Sequence, residues 1–418
     1  MKKTRIAVIS DLHIGRKAIA ADLCPHELTA EENVYLAANF LERFERFVNT
    51  PEFNCDGDID FLCVTGDISN HAEPAEFELA DKAILRIAQA LKVDGSKIYY
   101  VPGNHDVHWP VMRLTPGHFW RDYRYEPLLQ RGLIFQKQVL DARHGSFHQA
   151  PHFVAWVDGT TLVVGINSAA WDDPMPEHGK HHGLIHQETI DSLDLLLEDI
   201  LEKEDINLKV CLLHHHPILY SDPSPNIPDF SVAANSDNLF RLLSKYKFDV
   251  VVHGHKHVPQ LEHRLPIGNG HPITILGAGS FSAKLDDWVG LAQNQFHVVT
   301  IEGRNPATNG TFGHVSTWNF VGMKWQISQS REGLCATEGF GTLSTAAELE
   351  QEIDTLVGGL MGGSEACTWD ALTKRQPALK HVKTKVAFDV FTQVAKSRGL
   401  TVFGEIDAPS RRWALLKM

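Results

Sequence analysis

Seven short apolar runs, each ending in a polar cluster, constrain this chain more than any other feature. "RIAVIS" runs into Asp11-Leu12-His13, "DFLCVT" into Gly66-Asp67, and "KIYYV" into Pro102-Gly103-Asn104-His105. "TLVVGIN" ends at Ser168 and "LKVCLL" at His214-His215-His216-Pro217. "FDVVV" meets His253-Gly254-His255-Lys256-His257, and "PITILGAG" meets Ser280. Short runs rich in Val and Ile and bounded by Gly and Pro are buried strands. Helix-period segments lie between them, over 30–49, 73–92, 116–140, 186–203 and 236–246. In the fourth, Ile190, Leu193, Leu196, Leu197 and Ile200 form one apolar stripe. Strands alternating with helices predict an α/β fold. Polar residues at the carboxyl ends of strands are where such sheets build their sites.

The pattern changes after about residue 296. "QFHVVTI", "GHVSTWNF" and "MKWQIS" predict successive strands, and 331–345, with its Gly and Ser, predicts a linker. A helix near 346–360, a Gly-rich break at 358–363, a helix near 380–398 and two short strands near 400–405 and 412–417 follow. The expected organisation is one large domain over 1–330 and a small basic helical/β region over 331–418. Residues 370–418 carry ten Lys/Arg against four acids, on a chain whose total charge is −13. That tail is either a polyanion-contacting arm or a solvated basic face; the acidic total argues against a surface built throughout for nucleic acid.

Composition narrows the class. With 43% hydrophobic residues the chain is an ordinary globular protein. No apolar run approaches the roughly 20 residues that span a membrane. The opening "MKKTRIAVIS" has an apolar core too short for a signal peptide, so it reads as a first strand in a cytoplasmic protein. Six scattered cysteines without a C-x-x-C pair suit free thiols in a reducing compartment. Histidine is abundant, at 24 residues, and it is the commonest metal ligand.

The strand ends together supply Asp11, His13, Asp67, Asn104, His105, the 214–216 histidines, His255 and His257. Asp11 and His13 are two apart, as are His255 and His257, and in an extended segment such pairs point the same way. Each pair can therefore clamp one ion. Carboxylates with neutral imidazoles suit Mn, Fe or Zn better than Ca. The donors outnumber the three or four that one zinc takes, which implies two divalent ions with one carboxylate between them.

"SDLH", "TGD", "PGNHD", "LLHHHP" and "HGHKH", in this order and each at a strand end, resemble the signature of the calcineurin-like metallophosphoesterases over residues 4 to 302. The resemblance implies a four-layer αββα sandwich, here with a small α+β C-terminal extension. It implies two divalent cations, manganese foremost with iron or zinc as alternatives. Asp11, His13, Asp67 and His257 would hold one ion; Asp67 would bridge; Asn104, His215 and His255 would complete the second. His214 is the runner-up to His215. His105 would stand by the leaving-group oxygen, with Gly103 letting the backbone turn tightly. A metal-bridging hydroxide would then hydrolyse a phosphoester in line. The family often carries Asp three residues after the bridging carboxylate to orient this histidine; here that place holds Asn70.

The substrate is less legible. "VTGDISNHAEPAEFELA", "VPGNHDV" and "HGLIHQETIDSLDLLLEDI" resemble the cyclic-nucleotide phosphodiesterase branch, which implies a phosphodiesterase acting on nucleotides or cyclic nucleotides. Asn70, Trp109 and His182 are the expected substrate rim, with Trp109, Trp171 and Phe230 available to stack on a base. Two other functions remain open. One is a DNA or RNA nuclease guided by the basic C-terminal region. The other is a non-catalytic metal-bound module that serves a protein partner through the same region.

Overall fold

All seven apolar runs form strands. The computed structural model of the chain describes residues 2–29, 37–53, 57–106, 153–169, 183–220, 232–265, 270–285, 292–408 and 411–417. The helix expected over 116–140 and residues Trp109, Trp171, His182 and Phe230 lie outside the described residues. Strands β1 (Thr4–Ile9), β2 (Phe61–Thr65) and β3 (Ile98–Val101) pair in parallel. In a second sheet, β4 (Phe153–Asp158) is antiparallel to β5 (Thr161–Ile166), and β5 runs parallel to β6 (Leu208–Leu212), which is parallel to β7 (Val250–His253). Strand β8 (Gln260–Arg264) is antiparallel to β9 (Ile273–Gly277), which lies parallel beside β7. The first sheet is extended by β10 (Asn294–Arg304), antiparallel to β1, and by β11 (Thr311–Val321), which pairs with both β12 (Lys324–Ile327) and β13 (Thr337–Phe340). The two sheets have seven and six strands.

Period-two alternation builds the layers. Val154, Trp156, Val163, Val210, Leu212, Val250 and Val252 of the second sheet join one core with Ile6, Val8, Leu62 and Val64 of the first. Their neighbours Ala155, Leu162, Val164, Cys211 and Val251 face the other way, against Leu193, Leu196 and Leu197 of α3 (Gln187–Lys203) and Leu239, Phe240 and Leu243 of α4 (Ser236–Lys245). Phe40 and Phe44 of α1 (Phe40–Phe47) and Ala80, Ile84 and Ile87 of α2 (Pro74–Ala90) pack on the first sheet. The result is helix, sheet, sheet, helix: the expected αββα sandwich.

Two local expectations change. Of the helix predicted over 30–49, residues 30–36 lie outside the described residues, and α1 starts at Phe40, after Asn39 turns left-handed (φ 56°); the Asp22 carboxylate accepts from the Phe40 and Leu41 amides. The stretch predicted as a linker contains β13, because Phe340 is buried in the main core and Glu338 is nearly buried.

The C-terminal region comprises α5 (Ala346–Met361), β14 (Ala366–Thr368), α6 (Trp369–Arg375), α7 (Thr384–Ser397), β15 (Leu400–Phe403) and β16 (Ala414–Lys417). With β16 between β14 and β15, this order is that of a winged helix. Its own core includes Val357, Trp369, Phe391 and Trp413. It is seated on the sandwich through the start of α7. The Thr384 amide donates to Glu338 Oε2 at 2.7 Å, Lys383 pairs with Glu262 at 2.9 Å, and His381 Nδ1 donates to the Gly313 carbonyl at 3.3 Å. The buried Arg411 guanidinium donates to the Val382 carbonyl and to Thr384 Oγ1.

One buried histidine ties the fold to pH. His297 accepts from the Gly279 amide at Nε2 and donates from Nδ1 to Thr317 Oγ1, and burial pushes its pKa down to about 3. The unfolded chain, with an ordinary value near 6.5, binds the proton that the folded chain refuses between these limits. Stability is therefore full above pH 6.5 and falls toward pH 3 by about 1.4 kcal/mol per pH unit for this group. Urea midpoints measured from pH 7.5 to 4.5 are expected to fall more steeply for wild type than for His297→Gln; parallel curves refute this assignment.

Candidate metal centre

The carboxyl ends of β1, β2, β3, β6 and β7 open onto the same end of the sandwich, and the backbone there is strained. Asp11, His13, Asp67, His255 and His257 all have left-handed φ, at 51°, 49°, 50°, 82° and 59°. Each such residue costs free energy that the surrounding structure must supply, and such residues cluster at functional sites. Close approach explains two glycines. A Cβ at Gly103 would lie 2.2 Å from Asp67 Oδ1, and one at Gly254 would lie 1.9 Å from Ser10 Oγ. Gly103 has no positive φ, so its role is room for Asp67 and not the tight torsion expected of it.

Among the described residues, three groups of side chains converge closely enough to hold an ion: Asp11, His13 and His257; His13, Asp67 and His105; and Asp67, His214 and His255. Asp67 is common to two of them. His13 Nε2 lies 3.3 Å from His257 Nε2 and 3.6 Å from Asp67 Oδ2, and His257 Nε2 lies 3.4 Å from Asp11 Oδ1. On the other side, His214 Nε2 lies 3.3 Å from Asp67 Oδ2, 3.1 Å from Asn104 Oδ1 and 3.2 Å from His255 Nδ1. Asn104 Oδ1 is 3.0 Å from His255 Nδ1.

The structure thus brings a ring nitrogen of His214 to Asp67, Asn104 and His255, while the His215 ring packs against that of His255 with centroids 4.5 Å apart. His215 turns to Ser168, whose hydroxyl lies 3.0 Å from its Nδ1; the backbone amides of His214 and His215 both donate to the same Ser168 oxygen. Alternation along β6 sets this. Leu212 faces the inter-sheet core and Leu213 the helical layer, so His214 falls on the inner side.

Hydrogen bonds fix the ring tautomers. The Thr65 carbonyl can only accept, so His214 Nδ1 donates to it (2.8 Å) and Nε2 points at Asp67 and Asn104. The His255 amide donates to Asp11 Oδ2 at 3.1 Å, and Ser10 Oγ donates to the same oxygen at 2.6 Å. Partners of this kind orient ligands from behind in metal sites.

Burial and charge set the protonation. Burial, reinforced by His105 and His257 and opposed by Asp67, holds His13 well below its ordinary value. Burial, with the neighbouring histidines 214, 215 and 216, does the same to His255. Both are neutral, with lone pairs to give. Burial alone would raise the Asp67 carboxyl, but His214, His105 and His13 hold it well below the usual carboxylate range. Burial would lower His214, but Asp67's charge and hydrogen bond outweigh it and raise His214 to about 9. The donor set therefore matches what a pair of divalent cations takes: two buried carboxylates, the neutral imidazoles of His13 and His255, an amide oxygen that adds no charge, and His214 once it has given up its proton.

His105 stands at the edge of this cluster. Its backbone amide donates to Asp67 Oδ1 at 2.8 Å, and its Nδ1 donates to the Asn70 carbonyl at 2.9 Å. Its ring meets that of His13 edge to face, with centroids 4.6 Å apart. Burial lowers its pKa. Asn70 therefore orients His105 after all, through its backbone. Its own side-chain amide is buried without a hydrogen-bond partner and so is not an open rim. Two residues, the buried Asp106 and the half-buried Tyr220, escaped the sequence reading. Asp106 accepts from the Ser69, Ile68 and Gly103 amides and clasps the Gly-Asp loop to the Gly-Asn-His loop; burial, then Asp67's charge, raises it to about 6. Tyr220 donates to His253 Nε2 at 2.6 Å, behind His255. Adjacency to Gly-Asn-His was the signal for Asp106; Tyr220 had none.

No curated protein sequence matches the chain. Among solved structures it is similar to the purple acid phosphatase PPD1 from yellow lupin (Lupinus luteus) seeds, at 13% identity and TM-score 0.45 over 82% of this chain and 57% of that one. It is similar to GAP50, the anchor in the inner membrane complex of Plasmodium, at 12% identity and TM-score 0.40 over 79% and 91% of the two chains. It is also similar to phosphopantetheinyl hydrolase from Mycobacterium tuberculosis, at 15% identity and TM-score 0.34 over 66% and 90%. The chain spans 57% of the lupin protein. The family model for calcineurin-like phosphoesterases matches residues 4–259. Because that match runs from the first strand through the Gly-His-x-His turn, and takes in every one of the clustered side chains, the chain belongs to the calcineurin-like phosphoesterase family.

Proposed function

We propose that the chain is a phosphodiesterase acting on nucleotides or cyclic nucleotides, with Asp11, His13, Asp67 and His257 holding one divalent cation and Asp67, Asn104, His214 and His255 holding the second. The observation that carries this reading is the position of Asp67, whose carboxylate stands in both the His13 group and the His214–His255 group. Bound there, two cations supply a nucleophile from water and neutralise charge on phosphoryl oxygens. Manganese is the first choice on the resemblance, with iron or zinc as alternatives; the imidazole donors favour a transition metal over calcium. In its doubly protonated form His105 would present an Nε2–H, with its Nδ1–H held by the Asn70 carbonyl, and would give the leaving oxygen that proton. The preference for nucleotide diesters rests on the resemblance of the segments around Asp67, Asn104 and Gln187 to the cyclic-nucleotide branch.

The nuclease reading is weakened by the seat of the C-terminal region. A helix-turn-helix module reads DNA with the first residues of its second helix, and here those of α7 are bonded to Glu338 and Glu262. Several of the tail's cations are also spent on ion pairs within the region: Lys374 with Asp370, Arg398 with Asp354, Lys417 with Glu365.

The test is turnover by the Mn²⁺-loaded chain of a chromogenic phosphodiester, its monoester, 3′,5′-cyclic nucleotides, and single- and double-stranded DNA. Cleavage of small diesters or cyclic nucleotides is expected. Cleavage of DNA alone overturns the reading in favour of the nuclease, and two bound cations without turnover overturn it in favour of a partner module.

A further inference from the structure

Glu76 is completely buried at the third position of α2, yet among the described residues no lysine or arginine pairs with it. Burying a carboxylate is costly unless something compensates it. Here the compensation is backbone. Glu76 Oε2 accepts from the amides of Asn70 (3.2 Å), His71 (2.7 Å) and Glu73 (3.3 Å). The contact with Glu73 is the reciprocal half of a capping box, which an exposed glutamate provides equally well. The two contacts upstream have nothing to do with capping. They gather the loop between the Gly-Asp turn and α2 around one oxygen, with Ala72 forced left-handed (φ 55°). Oε1 faces His26 Nε2 at 3.4 Å. The neighbouring segment makes room for this carboxylate, since a Cβ at Gly15 would lie 2.3 Å from Glu76 Oε1.

The loop so held carries the carbonyl of Asn70, the acceptor for His105 Nδ1 at 2.9 Å. A backbone carbonyl is a directional acceptor only if its peptide is fixed. The peptide that carries this carbonyl also carries the His71 amide, which donates to Glu76 Oε2 at 2.7 Å, and the peptide before it is held by the Asn70 amide, shared between Glu76 and the Ile14 carbonyl. We propose that Glu76 is the positioning residue for His105: by collecting the amides of residues 70, 71 and 73 it fixes the Asn70 carbonyl, which in turn holds the imidazole with Nε2 toward the leaving group. The inference rests on the reading of His105 as the proton donor. It gives this chain a backbone route to an orientation that a carboxylate at position 70 would supply directly.

The experiment has a spectroscopic and a kinetic arm, both on the full chain. The first is the long-range ¹H–¹⁵N spectrum of histidine side chains, with His105 assigned by the loss of its signals in His105→Gln. At a pH where His105 is neutral, wild type and Glu76→Gln are expected to hold it as the Nδ1–H tautomer, which takes up and gives its second proton at Nε2, and Glu76→Ala to show both tautomers. The second arm uses Mn²⁺-loaded protein and two phosphodiesters that differ only in leaving group, 4-nitrophenolate or an alkoxide. The alkoxide needs its proton. Glu76→Ala is expected to lower kcat on it by about 10- to 100-fold with KM little changed, and kcat on the nitrophenyl ester by less than about 3-fold. In a His105→Ala background the same change is expected to add almost nothing, because both act on one proton. Glu76→Asp keeps the buried charge but withdraws it by one methylene, and it carries the same signatures where the alanine variant fails to fold. Equal losses on both esters, full additivity with His105→Ala, or an unchanged tautomer in both the alanine and aspartate variants overturns the proposal. A wild type that cleaves neither ester but loses the Nδ1–H tautomer on mutation refutes the phosphodiesterase reading and leaves the positioning role standing.

Discussion

Asp67→Asn is expected to lower kcat on any phosphoester substrate by on the order of 10³-fold or more, and to cut bound manganese below two per chain, without unfolding the protein. The fold should survive because the substitution respects the backbone. Asp67 sits at φ 50°, a region that Asn tolerates better than any other non-glycine residue. The side chains have the same shape, so the amide oxygen can still accept from the His105 amide, now 2.8 Å from Oδ1. What disappears is charge. Oδ2 lies 3.3 Å from His214 Nε2 and 3.6 Å from His13 Nε2, and a neutral amide cannot serve cations on both sides as a carboxylate does. The measurement pairs kcat with metal analysis of the dialysed protein. Activity within tenfold of wild type, with two ions retained, would show that Asp67 is not the shared ligand.

Much of this centre was legible because its parts are local. An apolar strand followed at once by Asp-x-His, Gly-Asp, Gly-Asn-His or Gly-His-x-His needs no long-range information to be recognised, and the sheet then brings the strand ends together. Three kinds of feature were not legible. Edge strands such as β8, with sequence QLEHR, lack the apolar signature, since one face is solvated. Strand β13 is short and glycine-bearing, and it is a strand only because β11 is there to pair with. The third kind is parity. Strand β6 is buried on both faces, so Val210, Cys211, Leu212 and Leu213 are all apolar and nothing local says which faces the other sheet. A single step in that alternation exchanges His214 for His215. The orientation of His105 failed for a related reason. The sequence offered a side chain at position 70, and the fold uses the main chain of that residue, held by Glu76 six positions on.

Parity can be tested by comparing neighbours. His214→Ala is expected to remove one of the two manganese ions and to lower kcat by on the order of 10²-fold or more, whereas His215→Ala should keep both ions. His215 is bonded to Ser168, its ring centroid is 4.5 Å from that of His255, and a Cβ at Gly183 would meet its ring at 2.4 Å; its loss should register in thermal stability. The pair also differs in protons. Asp67 raises His214 to about 9 against the opposing effect of burial, so the metal-free chain at pH 7.5 carries a proton that must leave when Nε2 becomes a ligand. Manganese affinity should therefore weaken as pH falls below about 9, by about tenfold per unit for this one proton. Titration calorimetry in two buffers of different protonation enthalpy should count about one proton released by wild type and by His215→Ala. His214→Ala should release none from this position. Loss of an ion in His215→Ala with both retained in His214→Ala would reverse the assignment and place the register of β6 one residue away from that described.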